Sequence, residues 1–200
     1  MLELAVLGLL HESPLHGYEL RQRLKATLGT FRAFSYGSLY PTLRRMQADG
    51  WIVHDDGDAQ VVAGAPPLTG RRGKVVYKLT ADGKERFAEL LSEAGPSAWE
   101  DETFGVHFAF FGQTDPAVRV RILEGRRSRL EERREGVRAS LARTRSRLDR
   151  YTLQLQEHGL ESVDREVRWL TELIETERRA TGGRPPTDQP PPTTTGRGAP

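Results

Sequence analysis

Apolar positions along this chain keep a helical period, shift to an alternating one, and return to a helical period. The run from Leu2 to Leu10 is mostly apolar, and its Leu and Ala content predicts a helix that Ser13-Pro14 ends. Tyr18, Leu20, Leu24 and Leu28 recur at helical spacing, predicting a second helix that starts near His16-Gly17 and closes at Gly29. After a linker, Thr30 to Phe34, the spacing returns in Leu39, Leu43 and Met46, with Ser35 placed to cap a third helix and Gly50 to stop it. Period two then takes over. Trp51 to His54 and Lys74 to Leu79 read as strands, joined by a Gly- and Pro-bearing loop, 55–73, too long for a tight hairpin turn. Thr80 caps a further helix through Leu91.

Three short helices followed by a two-stranded ribbon make a winged helix-turn-helix, expected over residues 1–94. Residues 95–114 follow as a hinge, GPSAWEDE, and a short aromatic helix containing Phe104, Val106, Phe108, Phe110 and Phe111. Asp115-Pro116 then gives a helix start, with Asp as N-cap and Pro in the first turn. No proline interrupts from there to about His158. Val120, Leu123, Leu130, Val137, Leu141, Leu148, Tyr151 and Leu155 fit the a and d positions of one heptad frame. That frame also places Arg127, Arg134 and Thr144 at core positions, so the seam is imperfect. A second long helix is expected from Ser162 to about Arg179, with Gly159 allowing an antiparallel turn. Long amphipathic helices need a partner surface, and a second copy of the chain is the economical one. Residues 115–181 are therefore expected to be an antiparallel helical dimerisation domain. The Gly-, Pro- and Thr-rich stretch 182–200 reads as a disordered tail. The expected fold is mainly α with a small β-hairpin: an N-terminal winged helix-turn-helix plus a C-terminal helical dimerisation domain.

Composition narrows the chemistry. The net charge of the 200-residue chain is only +2, so any nucleic-acid surface must be local. There are no cysteines, which removes disulfides, thiol catalysis and iron–sulfur clusters. His11, His16, His54, His107 and His158 are scattered without metal-ligand spacing. No nucleophile–base pairing or phosphate-cradling Gly loop is evident, so neither an enzyme nor a metal or cofactor is expected. The longest N-terminal apolar run is too short to span a bilayer and lacks a basic leader, so a cytoplasmic chain with no membrane association is expected.

The third helix offers the chemistry. Opposite its apolar stripe stand Tyr36, Ser38, Tyr40, Thr42, Arg44 and Arg45, hydrogen-bond donors and cations suited to phosphates and base edges. Such a helix fits the major groove of double-stranded DNA; taken alone, it would more readily be an ordinary amphipathic surface helix. The loop tip Gly70-Arg71-Arg72-Gly73-Lys74 could reach the minor groove or backbone, where Arg71, Arg72 and Lys74 would neutralise phosphates. Arg126 to Arg150 holds ten arginines against four acidic residues and reads as a solvated face of Glu/Arg pairs. The aromatics Trp99, Phe104, Phe108, Phe110, Phe111 and Trp169 form either a plain core or a pocket for a small aromatic effector; Trp99, Phe104, Phe108, Phe111 and Trp169 are its candidate lining.

Four blocks of sequence, in order, resemble the PadR family of transcriptional regulators over roughly residues 2–90. They are Leu7-Gly8-Leu9-Leu10, Pro14-Leu15-His16-Gly17-Tyr18-Glu19-Leu20, Ser35-Tyr36-Gly37-Ser38-Leu39-Tyr40-Pro41-Thr42-Leu43 and Tyr77-Lys78-Leu79-Thr80-Ala81-Asp82-Gly83. The C-terminal half is similar in architecture to the subgroup with an extended helical domain. The resemblance implies a two-fold homodimer on a palindromic operator, usually a repressor. It places Tyr18, Ser35, Ser38, Tyr40 and Pro41 at or near DNA, with Arg44 on the same face. His16 and Gly17 would open a helix whose N-terminal amides could hold a phosphate. Two departures stand out: the wing loop 55–73 is longer than the family's compact hairpin, and Met46 replaces the usual Leu. The competing expectation is a coiled-coil interaction module whose winged helix no longer binds DNA.

Overall fold

The computed structural model describes residues 1–29, 36–55 and 75–182. Helices α1 (Leu2–Glu12), α2 (Gly17–Leu28) and α3 (Tyr36–Ala48) are followed by strands β2 (Ile52–Asp55) and β3 (Val76–Leu79) and helix α4 (Ala81–Ser92). A two-residue strand, β1 (Leu15–His16), precedes α2. The expected ribbon is thus a three-stranded antiparallel sheet of order β1-β3-β2. Leu15 faces Tyr77 and His16 faces Val76, while Ile52 faces Leu79 on the other side. A two-residue strand shows no alternation of its own, which hides β1 from pattern reading. The linker Thr30–Phe34, the loop 56–73 and the tail 183–200 lie outside the described residues.

The first core explains the helix pattern. Leu4, Leu7, Leu20, Leu28, Leu39, Leu43, Met46 and Ile52 are all essentially inaccessible and belong to one cluster with Phe87 and Phe110. Leu39, Leu43 and Met46 dock α3, each contributing at most about 1.5–3 kcal/mol. Tyr18, expected among the apolar positions of α2, is instead 66% exposed, so Leu20, Leu24 and Leu28 alone anchor that helix. Gly50 ends α3 at φ 75°, with Gly50 N donating to Gln47 O (3.1 Å) and Trp51 N to Met46 O (2.9 Å). That double bond pattern closes orphan carbonyls of the last turn and needs a left-handed residue. Thr80 caps α4 as expected: its Oγ1 accepts from Gly83 N at 3.0 Å and donates to Gly50 O at 2.7 Å.

The stretch read as a hinge contains a short helix, α5 (Pro96–Trp99), and is packed rather than bare, with Ala98 fully buried and the Trp99 ring against Gly125. The aromatic helix α6 (Phe104–Ala109) follows, then a 3-10 turn at Phe111–Gln113. Asp115 caps α7 (Pro116–Thr144) by accepting from Ala117 N at 2.8 Å. α8 (Arg150–Gly182) returns antiparallel to α7, giving a second core of Ile122, Leu123, Leu130, Val167, Leu170 and Ile174.

The turn between these helices corrects the sequence expectation. It lies at residues 145–149, not at Gly159, which sits inside α8 with open space beside it. A 3-10 turn at Arg145–Arg147 and Asp149 do the work: Asp149 accepts from Tyr151 N (2.9 Å) and Thr152 N (3.0 Å), satisfying the first amides of α8. A mid-helix glycine costs only about 1 kcal/mol, so Gly159 need not break the helix. The single heptad frame therefore fails across the turn, and Tyr151 stands 79% exposed with Leu155 also open. Most arginines of the Arg126–Arg150 segment are exposed, as expected, while Arg126 is buried. Arg134 and Arg138 both pair with Asp164, and Arg145 pairs with Glu157, so much of the ladder ties α7 to α8. Among the described residues, no helix is long and apolar enough to cross a membrane.

Candidate nucleic-acid interface

At 100° per residue, the buried Leu39, Leu43 and Met46 leave an outward sector of α3 centred near Gly37, Pro41, Arg44 and Ala48. Tyr40 and Gln47 flank it on one side, Ser38 and Arg45 on the other. Tyr40 is 52% exposed, and Ser38, Pro41 and Arg44 are exposed as well. Pro41 lies inside the helix, where it cannot donate to the Gly37 carbonyl, a defect worth about 3 kcal/mol in a regular helix interior. The sequence keeps it on the outward sector, where the freed carbonyl is open to solvent or to a donor.

Tyr40 belongs to a small cluster at the start of α2. A methyl group placed on Gly17 would lie 3.7 Å from Tyr40 Cε1 and 3.6 Å from Tyr77 Cε2, so both rings border the first turn of α2. Burial pushes the Tyr77 phenol above its ordinary value; Tyr40 adds to this and Arg44 opposes it. Tyr40, Arg44 and Tyr77 are thus within electrostatic reach of one another beside the α2 amides. The sequence places Tyr77 in a strand and in a family motif but not at the interface; its place opposite Leu15 in the β1–β3 register is what brings it here. The Glu19 carboxylate caps this helix by accepting from His16 N at 3.0 Å. Tyr18 projects from α2 and accepts from Gln22 Nε2 at 2.8 Å.

The structure separates the two arginines of α3. Arg45 Nη2 donates to Glu3 Oε2 at 3.0 Å, which ties it sideways to α1, while Arg44 remains on the side of Tyr40 and Tyr77. Of the other expected contact residues, Ser35, Arg71, Arg72 and Lys74 lie outside the described residues, as does the side chain of Tyr36. The structure therefore brings together Gly17, Tyr40, Arg44 and Tyr77, and leaves Arg45 engaged elsewhere.

The aromatic candidates divide. Phe104, Phe108, Phe111 and Trp169 form one stack, with ring centroids 5.7 Å apart for Phe104–Phe108, 4.9 Å for Phe108–Phe111 and 5.3 Å for Phe108–Trp169. Trp99 packs against the same core from another side, its ring on Gly125. Arg126, unnoticed in the sequence beyond its membership of an arginine-rich segment, lies over Phe104 at 5.3 Å from the ring centre. Among the described residues, no group of three or more His, Cys, Asp or Glu could hold a metal ion.

Residues 6–89 match the model of the transcriptional regulator PadR-like family. Over 96 residues the chain is 28% identical to the negative transcriptional regulator PadR of Bacillus subtilis (strain 168), covering 48% of this chain and 48% of that protein. The match thus spans about half the length of this curated relative. Among solved structures, Bacillus subtilis PadR in complex with operator DNA aligns at 20% identity and a TM-score of 0.40, covering 88% of this chain and 98% of that one. The PadR-like transcriptional regulator BC1756 from Bacillus cereus aligns at 21% identity and a TM-score of 0.39, covering 89% and 98%.

Proposed function

We propose, on the premise that residues 6–89 belong to the PadR-like family of transcriptional regulators, that this chain is a homodimeric repressor of a palindromic operator. One observation supports the reading above the rest. The helix α3 buries Leu39, Leu43 and Met46 while turning Ser38, Tyr40, Pro41 and Arg44 outward, so an anchored helix presents donors and a cation to a groove. Tyr40 and Arg44 sit beside the first turn of α2, whose amides suit a phosphate at the edge of the same groove. Arg44 is the candidate for a base or phosphate contact, Tyr18 and Tyr40 for the backbone, and Arg71, Arg72 and Lys74 for flanking phosphates. Arg45 is assigned to holding α3 in place.

Repression is inferred from the printed name of the Bacillus subtilis relative, a negative regulator. Dimerisation is inferred from the far half of the α7–α8 hairpin, where Tyr151 and Leu155 are large, apolar and exposed. Two symmetric reading heads then engage two half-sites together. The effector part of the reading rests on the Phe104, Phe108, Phe111 and Trp169 stack, where the half-open Trp169 is the edge on which a planar ligand would stack.

Sequencing the DNA that copurifies with the chain from cells tests the proposal. Enrichment of a short inverted-repeat sequence is expected. A fragment population indistinguishable from input DNA would overturn it in favour of an interaction module.

A further inference from the structure

Arg126 stands where three segments of the chain meet. It is only 7% exposed although it carries a full charge. Its Nε donates to Glu166 Oε1 on α8 at 2.9 Å, and Nη2 pairs with the same oxygen at 2.8 Å. Nη1 donates to the Trp99 carbonyl at the end of α5 at 3.2 Å and pairs with Asp101 in the stretch between α5 and α6. The guanidinium plane lies over Phe104 at the start of α6. Asp101 also pairs with Arg133 at 3.2 Å, and the Arg126 hydrogen bond, with Arg133 and Arg129 beside it, holds its carboxyl below the usual range.

This matters because the chain joining the winged helix to the hairpin runs through residues 93–115. At one end, α6 and the residue after it are seated on the winged helix: Val106 joins its core, and the Phe110 ring lies so close to Gly8 of α1 that a methyl group there would be 2.2 Å from it. At the other end, Arg126 ties Trp99 and Asp101 to α7 and α8. The two contacts together pin the segment to both the winged helix and the hairpin. A rigid planar fork with five donors reaches acceptors on opposite sides in fixed directions, which a lysine's compact ammonium with three donors does less well.

We propose that Arg126 is a positioning residue that fixes how the winged helix sits on the helical hairpin, and thereby the spacing between the two recognition helices of a dimer. The proposal rests on the dimeric DNA-binding reading above. Removing the guanidinium leaves Asp101 and Glu166 without their common partner and lets residues 99–104 lift from α7. The reading heads then remain intact but lose their fixed separation.

The test measures spacing preference. Duplexes selected by the wild-type chain from a random library are rebuilt with their half-sites moved together or apart by one or two base pairs. The wild type is expected to favour its selected spacing by about tenfold. Arg126→Met is expected to bind all spacings within about twofold of one another, with single half-site affinity and dimerisation unchanged. Arg126→Lys is expected not to restore the preference. Asp101→Ala, at an exposed position that does not threaten folding, is expected to flatten the preference in the same direction and decides the matter if Arg126→Met does not fold. A purely structural role would weaken half-site and full-site binding together, leaving the preference sharp. That sharp preference in the folded variants would overturn the proposal alone; failure of the wild type to select any duplex would overturn the DNA-binding reading, and this proposal with it.

Discussion

Glu3 of α1 holds Arg45 of α3: Glu3 Oε2 accepts from Arg45 Nη2 at 3.0 Å, while its Oε1 accepts from Arg86 Nε on α4 at 3.1 Å. One carboxylate thus ties α1, α3 and α4 together on the flank of the proposed recognition helix. Because Arg45 is largely exposed, screening keeps the pair's own contribution small. Glu3→Ala is expected to lower unfolding stability by about 1 kcal/mol in a urea titration. Arg45→Ala is expected to change operator affinity by less than about threefold. A larger loss would place Arg45 on the DNA after all.

Arg44 is expected to behave oppositely. Arg44→Ala should cost about 1–3 kcal/mol in operator binding while sedimentation still gives a dimer. Unchanged affinity would remove Arg44 from the interface.

His107 gives the fold a sensitivity to acid. It is 2% exposed, its Nε2 has no hydrogen-bond partner among the described residues, and it borders a cavity of about 220 Å³ with Met1, Glu3, Arg86 and Glu93. Burial and the positive chain terminus push its pKa down to about 4. The unfolded chain takes up a proton near pH 6.5 and the folded one does not until about 4, so stability falls as pH drops through that window. The loss should approach about 3 kcal/mol near pH 4. In thermal melts between pH 7 and pH 4, His107→Leu should show a shallower decline than the wild type; equal slopes would locate the acid sensitivity elsewhere.

Gly8 makes room for Phe110. Gly8→Ala should destabilise the chain by about 1–3 kcal/mol, since a Cβ would collide with a buried ring that has little freedom to move. Adding Phe110→Leu should recover part of the loss. If the single variant melts like the wild type, the seating of α6 on α1 is looser than described.

The winged helix was legible in the chain because its apolar positions, caps and stops agree: Leu39, Leu43, Met46 and Gly50 each signal the same helix and stop. The strand β1 was not, because two residues carry no alternation. The hairpin misled at Gly159, a residue that suggests a turn but costs an exposed helix little. Asp149, whose carboxylate takes two backbone amides, was the better signal. At the candidate interface, the sequence favoured Arg44 over Arg45 but could not fix the facing residue to within one or two positions. The burial of Leu39, Leu43 and Met46 turns Arg44 outward, and the long-range partner Glu3 engages Arg45 on the flank. Tyr77 and Arg126 were missed for the same reason: their roles come from neighbours distant in sequence, Gly17 and Tyr40 for one, Asp101 and Glu166 for the other.

The most direct test of a groove-reading dimer is the salt dependence of its binding to a wild-type-selected duplex, followed by fluorescence anisotropy. The account predicts two chains per duplex and an affinity that falls by orders of magnitude between about 50 and about 200 mM salt, as several phosphate contacts are lost. Absence of binding at the lower salt, or an affinity indifferent to salt, would contradict it.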